Sequence, residues 1–315
     1  DRIGAVIVDT YEANPFKDMG TANPNGSQRY YIGHVDWTGF NGLIEYTGSE
    51  KFSAVLQMGT SRQKYQWEGY YTAAPETLSR VVTVDGGYIK GGANYRANDN
   101  SNFFFNVGQI MRPPSFDGVF PNADYDFEEA DEILNESFTS FELGYGFRSS
   151  NFKGTLNAYH TVWGDRTLRR STSIDDQGVR IIYSGVEQTH QGIEAEMTWY
   201  PSSRLRVKGM ASLGNWKYTK NFEGNAYYID NNQSAGTTGT LYLDGVKIGD
   251  AAQTVLYLGL DYKLSSKLSI DLDMMSYDDL HGRFGPLDSE FNSANNRGSI
   301  KLPSFGTTDL GATYR

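Results

Sequence analysis

The sequence predicts an all-β protein, an antiparallel transmembrane β-barrel that is present in part. Three observations predict it: apolar and polar residues alternate at period two, the alternation falls into hairpins about 50 residues apart, and one face of each hairpin carries no charge. Composition points the same way. The 315 residues hold 38 acidic and 28 basic side chains, a net charge of −10, with 35 Gly, 22 Tyr, 17 Phe, 5 Trp and no Cys. Without Cys there is no disulfide scaffold, thiolate zinc site or thiol nucleophile. An acidic balance without a Lys/Arg cluster argues against nucleic acid as a partner. An apolar fraction of 38% is low for a globular enzyme, and 14% aromatic is too rich for disorder. No stretch approaches the roughly 18 apolar residues of a membrane helix. A barrel strand shows lipid only every second side chain, so its mean hydropathy stays low.

The hairpins read in order. Phe40, Ile44 and Tyr46 turn through Gly48-Ser49-Glu50 into Phe52, Ala54, Leu56 and Met58. Ile89, Ala93 and Tyr95 turn through Asn98-Asp99-Asn100 into Phe103, Phe105 and Val107. Phe141, Leu143, Tyr145 and Phe147 turn through Arg148-Ser149-Ser150 into Phe152, Leu156 and Ala158. Ile193, Ala195, Met197 and Trp199 turn through Pro201-Ser202-Ser203 into Leu205, Val207, Ala211 and Leu213. Leu256, Leu258, Leu260 and Tyr262 turn through Leu264-Ser265-Ser266 into Leu268, Ile270, Leu272 and Met274, and a last strand carries Leu310, Ala312 and Tyr314. Between the hairpins lie long polar connections, roughly 61–86, 112–137, 217–252 and 277–305. Tight turns at one rim and long loops at the other are the asymmetry of an outer-membrane barrel.

None of these apolar positions is charged, whereas the alternate face carries Glu45, Lys90, Glu142, Lys153, Glu194, Glu196, Arg206, Lys208, Asp261, Asp271 and Asp273. A Lys or Arg facing lipid at mid-bilayer costs about 2–4 kcal/mol, which explains the exclusion. Glu194 and Glu196 before one turn and Arg206 and Lys208 after it are expected to pair across that hairpin. Tyr46, Tyr95, Phe147, Trp199 and Tyr262 precede their turns and predict an aromatic girdle at one interface. About eleven strands of roughly 9–11 residues result, and Tyr30–Asp36 and Val179–Ser184 are further strand-like segments. A soluble sandwich also alternates, but it mixes connection lengths at both ends and needs no aromatic at each turn.

Several runs resemble TonB-dependent outer-membrane receptors. Arg112-Pro113-Pro114-Ser115-Phe116, an acidic loop, and then Asn135 to Tyr145 are similar to that family's Arg-x-Pro segment followed by a Ser/Thr-x-x-Glu-x-Gly-Tyr strand. Asn157 to Arg166, His190 to Glu196 and Gly209 to Trp216 match in the same order, and Gly249 to Gln253 with Leu302-Pro303-Ser304-Phe305 resemble the Bacteroidetes-type branch. The resemblance implies a 22-stranded barrel closed by an N-terminal plug. Such a barrel imports a scarce ligand with energy passed from the inner membrane through TonB. On that reading residues 1–315 are a partial barrel domain of about 11–12 strands, with the plug, its TonB-contacting segment and the last strands outside this sequence.

The same resemblance sets the expected partners: outer-membrane lipids, the TonB complex through the plug, and a ligand that is an iron chelate, corrinoid, glycan or peptide. A surface lipoprotein is a further candidate partner. The competing reading is a passive porin or a surface-anchoring barrel. Catalysis, cofactors and resident metals are not expected. His34, His160, His190 and His281 are scattered outside any His-x-x-x-His spacing, and no Gly-x-Ser-x-Gly turn occurs. The loop Asp124 to Glu129 alternates carboxylates, but Glu129 occupies the place where a calcium loop of the EF-hand type needs Gly. The ligand-contact candidates are aromatics in or near the long connections: Trp67, Tyr70, Tyr71, Trp163, Tyr227 and Tyr228. Exposed Trp and Tyr stack on flat or sugar ligands, with loop packing and interfacial anchoring as the alternative role.

Overall fold

The computed structural model describes residues 2–7, 29–69, 78–120, 129–130, 133–228, 234–282, 285 and 289–315. Fourteen strands appear in chain order: β1 Arg2–Ile7, β2 Arg29–Tyr46, β3 Phe52–Gly69, β4 Val82–Asn98, β5 Ser101–Arg112, β6 Glu136–Arg148, β7 Phe152–Ile174, β8 Gln177–Ser202, β9 Leu205–Tyr218, β10 Phe222–Tyr228, β11 Ser234–Leu241, β12 Ala252–Lys263, β13 Leu268–Leu280 and β14 Phe305–Tyr314. A one-turn helix, α1, spans Phe116–Val119. The pairings of β1 with β2, of β6 through β9, of β9 with β12 to β14, and of β10 with β8 and β11 are antiparallel. The main path runs β1 through β9 and then β12 to β14, which is twelve strands, with β10 and β11 off it.

The turns form where the sequence places them, and a shared device closes them. The Ser49, Ser202 and Ser265 hydroxyls and the Asn98 side-chain carbonyl each accept the backbone N–H two residues on, at 3.2, 3.3, 3.2 and 2.9 Å. Such local bonds hold a tight turn and simultaneously stop the strand. The apolar face is bare: Leu143 is 61% exposed and Leu310 is 76% exposed, in the middle of strands that pair on both backbone edges or lie at the end of the path. Among the described residues no second layer covers this face, which is against the sandwich reading. The girdle is formed as well. Tyr46, Tyr95, Phe147, Trp199 and Tyr262 are all exposed beside their turns, Tyr46 packing on Phe52 and Phe147 on Phe152, each at 6.1 Å between ring centres.

Strand length is where the sequence reading needs correction. β2, β3 and β4 have 18, 18 and 17 residues, and β7 and β8 have 23 and 26. Alternation of apolar residues stops at the edge of the hydrocarbon layer, but backbone pairing continues into water. The connection expected at 61–86 is therefore strand up to Gly69 and again from Val82. The stretch between Trp163 and His190 is a long hairpin whose tip is Asp175-Asp176, both at positive φ. The connection at 217–252 contains the β10–β11 hairpin, and β10 adds to the outer part of β8 through Gly224↔Tyr183 to Tyr228↔Val179.

The chain divides into two compact units. In one (Asp1–Gly42, Gln57–Ile89 and Ile110–Glu136), Tyr31, Tyr65, Trp67, Val82, Val119 and Phe120 form a buried cluster, with Phe116 of α1 stacked on Tyr31 at 5.8 Å. Burial pushes the Tyr65 hydroxyl up to about 12. In the other (Leu43–Leu56, Lys90–Gln109 and Ser137–Arg315), the outer ends of β8 and β9 join β10, β11 and the 3₁₀ turn Ser289–Asn292 around Val179, Ile181, Tyr183, Val186, Leu241 and Phe291. Both clusters lie beyond the bare apolar band. Glycine permits a close approach on the face opposite that band: a Cβ at Gly144 of β6 would stand 1.9 Å from the Phe104 ring.

Candidate functional site

The face opposite the apolar one is a wall of paired charges. Arg206 of β9 donates to Asp261 of β12 at 2.8 Å; Lys208 reaches Asp261 at 3.5 Å and Asp273 of β13 at 3.4 Å, and the Tyr257 hydroxyl donates to Asp273. This overturns the pairing expected across the β8–β9 hairpin. There the register sets Glu194 opposite Ser212 and Glu196 opposite Met210, so Arg206 and Lys208 find their carboxylates on the neighbouring strand. The partners are 28–44% exposed, so solvent screens each pair and the wall's charges position one another more than they stabilise the fold. They border an open recess of about 540 Å³ floored by Lys153, Thr155, Glu196, Lys208, Met210 and Tyr257.

Further along the same strands, above the apolar band, aromatic side chains replace the charges. Tyr159 accepts the Trp216 indole N–H at 2.9 Å, and Trp216 packs on His190 at 5.5 Å. Phe138 stacks on Trp163 at 5.0 Å. Immediately past Trp163 the register slips twice before Leu168, with Asp165 at φ 56° and Gly185 at φ 69° on the facing strand. Bulges re-aim side chains. Here the slip lays the Arg166 guanidinium over the Trp163 ring, 3.9 Å from its centre, and brings it beside the Tyr218 hydroxyl. Tyr218 is held above its usual range chiefly by burial.

The aromatic candidates fare differently. Trp67 is 1% exposed within the α1 cluster and stacks on Tyr31, so its ring is a packing element in this conformation. Tyr70 and Tyr71 lie outside the described residues. Trp163 is half-buried beneath Arg166, Tyr227 is half-buried on β10, and Tyr228 packs against the outer core of β8, β10 and β11. Sequence reasoning passed over Arg166. The signal was Gly164-Asp165, a pair that breaks the alternation of β7 directly before it. The acidic loop at 124–128 also lies outside the described residues; Glu129 is paired with Arg80.

At the outer rim a return segment is pinned by carboxylates. Glu290 accepts from the Arg297 guanidinium at 3.0 Å and from its backbone N–H at 3.1 Å, which holds its carboxyl below the usual range. Asp278 is likewise held low, first by the Asp279 backbone N–H at 2.6 Å and then by Lys301 at 3.4 Å. Depressed pKa values stabilise the folded segment above the unfolded carboxylate pKa of about 4, and that stability disappears as pH falls through the folded values. The protection factors of amides in residues 289–301, corrected for the intrinsic pH dependence of exchange, should therefore be high at neutral pH and fall as the medium is acidified below the unfolded carboxylate pKa of about 4. Protection unchanged over that range would show that the pairs do not hold the segment.

Bare apolar strands, an aromatic girdle at the tight turns and a charged opposite face together define the wall of a membrane-spanning β-barrel. The family model described as "TonB dependent receptor-like, beta-barrel" matches residues 10–315, and the chain belongs to that family of bacterial outer-membrane receptors and transporters. No curated protein sequence matches it significantly. Among solved structures it is similar to the FrpB iron transporter from Neisseria meningitidis (F3-3 variant), with a TM-score of 0.61 and 14% identity over 90% of this chain and 39% of that one. BauA, the ferric preacinetobactin receptor from Acinetobacter baumannii, gives a TM-score of 0.59 at 14% identity over 90% of this chain and 36% of that one. The copper transporter OprC gives 0.58 at 14% identity over 92% and 40%. The chain thus spans about two fifths of the length of these structures, and at such identity the likeness is one of fold.

Proposed function

We propose that residues 1–315 supply barrel wall to an active importer of the outer membrane. The importer would take up a scarce extracellular ligand with energy delivered through the TonB complex, and a plug outside these residues would close its barrel. One observation carries the reading: a chain that matches the receptor barrel family over residues 10–315 presents a charge-free face to lipid and a charged wall opposite it. A barrel as wide as the family's needs a plug to stay closed, and a plug needs a polar wall to rest on. The ligand is an iron chelate, corrinoid, glycan or peptide, with Trp163, Tyr227 and Tyr228 as contact or positioning residues at the outer end of the wall. A surface lipoprotein is a further proposed partner if the ligand is a glycan or peptide.

The test compares cells with and without the complete gene for accumulation of labelled ferric citrate, cobalamin, maltoheptaose and a mixed oligopeptide. Accumulation of one of these should depend on the gene and stop when a protonophore collapses the proton gradient. Gene-dependent accumulation that survives the protonophore would mean a passive pore.

A further inference from the structure

The aromatic end of the wall holds a cation that the rest of the fold does not neutralise. Several cations of the wall and rim are paired: Arg206 and Lys208 have Asp261 and Asp273, Lys247 has Asp279 at 3.3 Å, and Arg297 has Glu290 at 3.0 Å. Arg166 forms no ion pair with any described residue; its guanidinium is hydrogen-bonded to the Tyr218 hydroxyl, and its Nε, like those of Arg169 and Arg180 in the same hairpin, is enclosed without a hydrogen-bond partner. The nearby carboxylates are engaged elsewhere. Asp165 accepts the Ser137 hydroxyl at 2.5 Å, and Glu187 accepts the Thr219 hydroxyl at 2.6 Å. In a chain of net charge −10, an unpaired half-buried guanidinium stands out.

Its direct contacts are an aromatic ring and a phenol hydroxyl. The Trp163 ring, itself stacked on Phe138, supports one flat face of the guanidinium, and stacking of this kind leaves its terminal in-plane N–H donors for other acceptors while Nε stays enclosed. Beside it stand the buried Tyr218 hydroxyl and Gln188, whose Oε1 accepts from the His190 Nε2–H at 3.1 Å. A fork of donors fixed by an aromatic platform matches the paired oxygens of a carboxylate or phosphate. A neutral sugar would leave that charge uncompensated.

We propose that Arg166 is the anion-receiving residue of the ligand site, with Trp163 and Phe138 positioning its guanidinium, and that the imported ligand carries a carboxylate or another oxyanion. This narrows the ligand class and rests on the import reading. Trp163 then serves the site by orienting Arg166 rather than by stacking on the ligand.

The test uses the complete gene product in detergent, titrated with citrate and with inorganic pyrophosphate, and with maltoheptaose as a neutral probe. Calorimetry should show saturable binding of an oxyanion and none of the sugar. Arg166→Gln should weaken oxyanion binding roughly ten- to hundredfold, Arg166→Lys should recover part of it, and thermal unfolding should not change. Trp163→Leu should weaken binding less than Arg166→Gln, because the charge remains while its orientation is lost. The proposal is overturned if neither anion binds at tens of millimolar, if Arg166→Gln binds as the parent does, or if maltoheptaose binds instead. Binding that depends on Arg166 without energy-dependent accumulation in cells would remove the import reading and leave the anion site standing. Energy-dependent accumulation of an uncharged ligand, unaffected by Arg166→Gln, would do the reverse.

Discussion

Leu156→Arg should destabilise the membrane-inserted protein by about 2–4 kcal/mol, while Thr155→Arg, one residue earlier, should cost less than about 1 kcal/mol. Leu156 sits half-way through the apolar band of β7, between Tyr145 of β6 and Ala195 of β8, and is 50% exposed on the bare face. There an arginine must either enter hydrocarbon or distort the bilayer around it. Thr155 points to the opposite face, where it borders the open recess and lies opposite Glu196. The same guanidinium finds water and a carboxylate there. Urea unfolding of the complete gene product in lipid vesicles measures both changes. Equal costs for the two substitutions would mean that lipid does not contact the Leu156 face.

Trp67→Ala should remove about 3–5 kcal/mol of local stability. The ring is enclosed by Tyr31, Tyr65, Val82 and Phe120, and the Trp67 backbone N–H is tied to the Ser79 hydroxyl at 2.9 Å. An emptied site of that size cannot be refilled by a four-residue helix held chiefly by Phe116 and Phe120. Hydrogen exchange should therefore rise across residues 113–120 and the outer end of β3, with protection in the apolar band of β3 retained. If ligand affinity fell while exchange stayed constant, Trp67 would be a contact residue and not a packing residue.

These two expectations differ in how far the sequence anticipates them. The Leu156 and Thr155 contrast follows from period two, a local property, because successive strand side chains point to opposite faces whatever the strand pairs with. The same locality makes the five tight turns and their aromatics readable. The burial of Trp67 is not local. It depends on α1, some 50 residues later in the chain, folding Phe116 and Phe120 onto β2 and β3. From the sequence alone the residue reads as an aromatic in a connection, since the apolar alternation ends before it although the strand continues.

The sequence by itself determined an all-β chain, the positions of its turns, which face meets lipid and the family of barrels it belongs to. Each of these is written in residues close together along the chain. Tertiary structure alone decided that Arg206 and Lys208 pair with β12 and β13 and not with Glu194 and Glu196, that β10 and β11 extend the sheet beyond the membrane, and that a bulge turns Arg166 onto Trp163. Register and bulges are settled by what many distant backbone groups can satisfy at once, and no short stretch of residues records that balance.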